Sequence, residues 1–101
     1  MRRVVVQPFP TDPLVVDAAA LGAAIRAARS QAGMTLVDAA LSLGLAKQTL
    51  ADLETAKGSV GLETALRAAR ELGVALFAVP TADREPVRRA IQKARADGSE
   101  P

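Results

Sequence analysis

Apolar residues recur with a helical period along most of the chain. Leu21, Ile25 and Ala28 stand at i, i+4 and i+7, with Asp17 as a candidate N-cap before them and Gly33 as a stop after them. Thr35 caps a second helix over roughly residues 35–43, and Gly44, which has no Cβ, can take the left-handed conformation of a sharp turn. A third helix runs from Lys47 to about Thr55, anchored by Leu50 and Leu53. After a loop over residues 57–61 that carries two glycines, a fourth helix spans about 62–72. It faces Leu62, Leu66, Ala69 and Leu72 inward and stops at Gly73. A last helix, about 84–96, sets Val87, Ile91 and Ala94 on one side and Arg84, Arg88, Arg89, Lys93 and Arg95 around them; residues 96–101 read as a frayed tail.

The helical period fails at two places. Residues 3–7 are short and β-branched, which suits a strand, and the Pro-rich stretch 8–13 after them cannot be regular structure. Residues 74–79 are six apolar residues between Gly73 and Pro80, which suit a buried strand better than a helix. A lone pair of strands is marginal in water, and 74–79 would leave apolar edges exposed. Pairing with the same strands of a second copy buries both, so the pattern predicts a homodimer with an intersubunit sheet formed through Val74, Leu76, Phe77 and Val79. The alternative is that 74–79 packs over its own helices. The chain then divides into an N-terminal arm (1–16), a helical domain with a dimerisation strand (17–79) and a basic helix with a tail (80–101).

Composition narrows the functional classes. At 101 residues the chain makes one domain with one modest core. That core is Ala, Leu and Val; the aromatics are Phe9 and Phe77, which leaves little area for a large ligand pocket. The absence of Cys and His removes thiol nucleophiles, disulfides, zinc sites and imidazole chemistry, and no carboxylate pair stands out. The expectation is a protein that is not an enzyme and takes no cofactor. No apolar run reaches membrane-spanning length, and the apolar stretch at the start is too short and too soon broken for a secretory signal, so a cytoplasmic protein is expected. The net charge is +2, but residues 17–79 hold six basic and six acidic side chains, so the excess sits at the two ends. A neutral core predicts modest non-specific affinity for DNA, which comes from phosphate neutralisation.

Residues 35–55 carry the most information. Ala39 and Ala40 lie one turn before Gly44, Leu45 follows to plug the turn, and Leu50 and Leu53 anchor the next helix. This is the layout of a helix-turn-helix, in which the first residues of the second helix can enter a DNA major groove. Any Ala-rich helical hairpin shares part of it, but here every position agrees. Over residues 21–74 the chain resembles the Cro/CI-type (XRE) helix-turn-helix family. Leu21-Gly22, Ile25-Arg26 and Arg29 match that family's first helix. Gly33, Thr35, Ala40, Gly44, Leu50 and Leu53-Glu54 match its motif. Leu62-Glu63-Thr64 and Ala69, with Leu72-Gly73-Val74, match its fourth helix. The resemblance implies a mainly α fold, a lambda-repressor-like bundle of four to five helices, flanked here by the two short strands. Three positions depart from the pattern. Leu36 stands where a phosphate-gripping Gln is usual, and Ala56 where Gly is usual. Ala46 replaces a Ser or Thr whose cap is worth about 1 kcal/mol.

By position in that family, Lys47, Gln48, Thr49 and Asp52, preceded by Ala46, face the groove. Gln48 can bond an adenine edge in two places, Lys47 can donate to guanine or phosphate, the Thr49 methyl can meet a thymine methyl, and Asp52 can accept from cytosine N4. Thr35 and Lys57 are expected at phosphates, Arg29 and Glu54 as a structural pair, and Arg2 and Arg3 as a minor-groove arm or a disordered leader. One such module reads few base pairs, so a two-fold dimer on a palindromic operator is expected. A helix-turn-helix followed by an apolar strand resembles the HipB-like antitoxins. This implies an autoregulating repressor in a type II toxin–antitoxin operon with a HipA-like kinase toxin as partner. A stand-alone phage or restriction–modification regulator, and a protein-interaction module that no longer binds DNA, remain as alternatives.

Overall fold

Local capping chemistry sets the element boundaries in the computed structural model, which describes residues 3–98. Asp17 accepts a hydrogen bond from Ala20 N at 2.8 Å and starts α1 (Ala18–Gln31). Thr35 starts α2 (Leu36–Leu43) with a reciprocal capping box: Asp38 N donates to Thr35 Oγ1 at 3.0 Å, and Thr35 N donates to Asp38 Oδ2 at 3.3 Å. Gly44, at φ +68°, turns the chain into α3 (Lys47–Thr55), and Leu45 N closes the turn on Ala40 O at 2.9 Å. Then come α4 (Leu62–Glu71), a 3-10 turn over Thr81–Asp83 and α5 (Arg84–Gly98). No helix among the described residues is long and apolar enough to cross a membrane.

The core lies where α1, α2, α3 and α4 converge. Ile25 and Leu50 are fully buried at its centre, walled by Ala24, Ala39, Ala40, Leu43, Leu53, Ala65, Ala68, Ala69 and Val74. Leu45 packs against this cluster from the turn. On α4 the core is built from small side chains. Its buried face is Ala65, Ala68 and Ala69, whereas Leu62 is 72% exposed and Leu66 41% exposed. The expected inward face, Leu62 and Leu66 with Ala69 and Leu72, is thus rotated. Ala69 is buried and Leu72 half-buried, but the two N-terminal leucines look outward. Arg67 helps fix that rotation by donating from NH1 to Leu43 O, the last carbonyl of α2, at 2.8 Å.

Neither expected strand forms, and no strand occurs among the described residues. A strand is defined by its ladder, and each segment spends its backbone elsewhere or not at all. Gln7 lies on α1, with its N–H donating to Ser30 Oγ at 2.8 Å and its carbonyl accepting from Gln31 Nε2 at 3.0 Å. Pro8, Pro10 and Pro13 have no N–H to offer. Val74 N returns to Ala69 O at 2.7 Å to finish α4. Beyond it, residues 75–79 have no regular secondary structure and make no backbone hydrogen bond among the described residues. Val74 is buried, but Leu76, Phe77 and Val79 are exposed, Phe77 by 79%. The expected buried strand is therefore an exposed apolar ribbon.

The N-terminal segment attaches α5 to the helical body. Arg95 donates to Pro10 O at 2.9 Å and lies over the Phe9 ring at 5.3 Å; Gln92 donates to Thr11 O at 3.3 Å. Arg88 meets the Asp12 carboxylate at 3.3 Å. No residue of α5 is buried. Between the N-terminal segment, residues 74–79 and α5 runs an apolar groove of about 450 Å³, lined by Leu14, Val16, Leu76, Val87 and Ile91 among others.

Candidate nucleic-acid interface

The position of α3 is set from behind by α1. Gly22 faces its last turn, and a Cβ there would press on Leu53 O and stand 2.7 Å from Glu54 O. Two turns further along α1, Arg29 reaches the same place. Its Nε donates to Glu54 Oε2 at 2.6 Å, its NH2 to Glu54 Oε1 at 2.9 Å and its NH1 to Met34 O at 2.9 Å. The pair is nearly dry, at 12% and 4% side-chain exposure. A bidentate guanidinium–carboxylate fork fixes direction as well as distance. Arg29 therefore ties the end of α3 to the turn between α1 and α2. The resemblance to Cro/CI-type proteins implied this pairing.

With its back held, α3 presents its other face outward. Lys47 and Gln48 are exposed; Thr49 and Asp52 are half-buried beside them. Ala46 is exposed and supplies no side-chain cap, so no hydroxyl or carboxylate occupies the first-turn amides of α3. Those amides carry the positive end of the helix dipole. Gln48 Nε2 donates to Asp52 Oδ1 at 2.8 Å, so these two side chains act as a unit. Lys57 follows α3 in an exposed loop, with its N–H on Asp52 O at 3.0 Å. Ahead of it Ala56 is forced into the left-handed conformation at φ +58°, the role glycine plays at this point in the related pattern. Thr35 is half-buried at the start of α2; its Oγ1 accepts from Asp38 N, which leaves the hydroxyl proton free to donate.

The structure also gathers residues that sequence reasoning did not connect. Arg3, Arg26, Arg29, Thr35 and Leu36 line a polar hollow of about 220 Å³. Arg29 is spent on Glu54, but Arg3 and Arg26 are exposed and form no ion pair among the described residues. Two cations unpaired among the described residues thus stand beside Leu36, where the expected phosphate-gripping Gln is missing. Their convergence depends on how the N-terminal segment crosses α1 and α2, which no local spacing reveals. Arg2 lies outside the described residues. Val74, Leu76, Phe77 and Val79 are not part of this face; they belong to the ribbon beside α5. No group of three or more metal-ligating side chains occurs among the described residues.

Residues 25–78, from within α1 to the ribbon after α4, match the family described as helix-turn-helix. The match takes in just over half of the chain. No curated protein matches it. With the Thr35 cap, the Gly44 turn and the α1-braced third helix in place, the chain belongs to the Cro/CI-type (XRE-type) helix-turn-helix family of DNA-binding proteins.

Proposed function

We propose that the protein is a cytoplasmic, sequence-specific repressor that binds a palindromic operator as a homodimer, and that it is the autoregulating antitoxin of a HipBA-like operon. The observation that carries the DNA reading is α3 itself, braced on α1 by the Arg29–Glu54 fork while Lys47, Gln48 and Thr49 stand at its open, uncapped end. Gln48 is the base reader, Lys47 and Thr49 flank it, and Thr35, Ala46 and Lys57 lie along the phosphates. A mobility-shift assay on the DNA just upstream of the protein's own gene tests this. Gln48→Ala should cost about 1–3 kcal/mol and relax one base position. Equal binding to every sequence by wild type and variant would overturn the assignment of α3.

The homodimer rests on the ribbon. Residues 75–79 carry exposed apolar side chains and unpaired backbone, an open template for a second chain. Val5 and Val6 are exposed in the N-terminal segment as well. Pairing these segments between copies buries Leu76, Phe77 and Val79 and sets two recognition helices about one DNA turn apart, roughly 34 Å. Sedimentation of wild type and Phe77→Asp checks this: the variant should be a monomer with an unchanged helical spectrum. A HipA-like kinase toxin is the proposed partner, and co-purification with the product of the neighbouring gene tests it. The second reading, a protein-interaction module, draws on Leu36 and on the six-to-six charge balance of residues 17–79. Titration with salt separates the two, because such a module forms no specific complex even at low salt.

A further inference from the structure

We propose that Asp52 is a positioning residue that fixes the amide of Gln48 and thereby selects adenine against guanine; this rests on the DNA-binding reading of α3. Gln48 and Asp52 stand at i and i+4 on the exposed face, with Gln48 Nε2 2.8 Å from Asp52 Oδ1. A free glutamine amide rotates and can offer either end to a base. Here it cannot, because an ionised carboxylate only accepts hydrogen bonds and must be met by the amide nitrogen. Oε1 is therefore held on the opposite side.

The consequence is a fixed polarity. One N–H of Gln48 is spent on Asp52, which leaves one N–H and Oε1 for the base. A donor beside an acceptor complements adenine, whose major-groove edge offers the N7 acceptor and the N6 amino donor. Guanine offers two acceptors, N7 and O6, so the fixed Oε1 would face O6, acceptor against acceptor. An unrestrained Gln48 could turn its amide nitrogen toward O6 and tolerate guanine. Asp52 then governs a base that it does not itself touch, and the ordering of Gln48 is complete before DNA arrives. Its carboxylate has a second, separable effect: it repels nearby phosphates and lowers affinity for all sequences alike.

Two variants separate the roles. Asp52→Ala removes both the acceptor and the charge; Asp52→Asn removes the charge and keeps a carbonyl acceptor for Gln48. The base pair read by Gln48 is found first, as the one at which Gln48→Ala loses discrimination among singly substituted operators. Competition binding with A·T and G·C at that pair then gives the ratio for each protein. Asp52→Ala should lose about tenfold of the discrimination at that pair and none elsewhere. Asp52→Asn should keep it, and both variants should bind non-specific DNA more tightly than wild type. In the free protein, the Gln48 side-chain amide resonances should move in Asp52→Ala while the rest of the spectrum stays native. Unchanged discrimination in Asp52→Ala, or equal loss in both variants, overturns the proposal alone. A wild-type protein that selects no sequence overturns the DNA-binding reading and the proposal together.

Discussion

Gly22→Ala tests the close contact on which the placement of α3 depends. Alanine is the better helix former, and in the middle of a 14-residue helix the change should help by about 1 kcal/mol if nothing else touched it. The structure says otherwise. The new Cβ would press on Leu53 O and lie 2.7 Å from Glu54 O and 2.9 Å from Glu54 C, all of them backbone atoms with no rotamer to yield. For Glu54 O alone to reach ordinary contact, α1 and α3 must part by about 0.7 Å. That movement would also stretch the 2.6 Å and 2.9 Å bonds from Arg29 to Glu54. Overpacking of this kind costs about 1–3 kcal/mol, and the strained fork adds to it, so the helix-propensity gain is outweighed. Urea and thermal unfolding followed by circular dichroism should show a net loss of about 1–3 kcal/mol, with a fall in Tm of some 4–8 °C for each kcal/mol. Ala23→Gly, at an exposed neighbour, is the control for helix propensity and should cost about 1 kcal/mol. A Gly22→Ala protein as stable as wild type, or more so, would refute the close approach of α1 to α3.

Glu54→Ala strands the Arg29 guanidinium in a nearly dry site and should cost about 3–5 kcal/mol by urea unfolding. Replacing both partners with apolar residues of similar size should recover most of that loss, and failure to do so would mean the pair does more than neutralise itself. Ala56→Gly removes the left-handed strain at φ +58° and should stabilise the protein by about 0.5–1 kcal/mol, less than the full strain because glycine also loosens the unfolded chain. Ala46→Ser gives α3 the cap it lacks and should add about 1 kcal/mol of stability by the same assay.

The turn and the helices around it are legible in the sequence because their causes are local. Thr35 with Asp38 three residues on, and Gly44 after Ala39 and Ala40, state a cap and a turn within one short window, and the structure places both there. The α4 face is not legible in the same way. An amphipathic reading favours large side chains, so Leu62 and Leu66 look like core, but α4 turns Ala65, Ala68 and Ala69 inward instead. Residues 74–79 mislead for a different reason. Their composition fits a strand, yet a strand exists only with a partner, and no other described segment pairs with them. At the candidate site, the identities of Lys47, Gln48, Thr49 and Asp52 are readable from the motif. The bond that joins Gln48 to Asp52 depends on rotamers, and the convergence of Arg3 and Arg26 on a common hollow depends on how separate elements cross.

The third helix is held unequally at its two ends. At its C-terminal end Gly22, Arg29 and Glu54 fix it to α1 through a clash-limited contact and a dry ion pair, where a change of one atom is felt. At its N-terminal end Ala46 contributes no cap, and Lys47 and Gln48 are exposed, so a change there leaves the packing alone. The helix is therefore oriented from behind rather than stabilised from its own start. On the proposed DNA-binding reading, stability and recognition are then separable: substitutions at the braced end must move both, whereas substitutions at the open end alter what is bound without unfolding what binds.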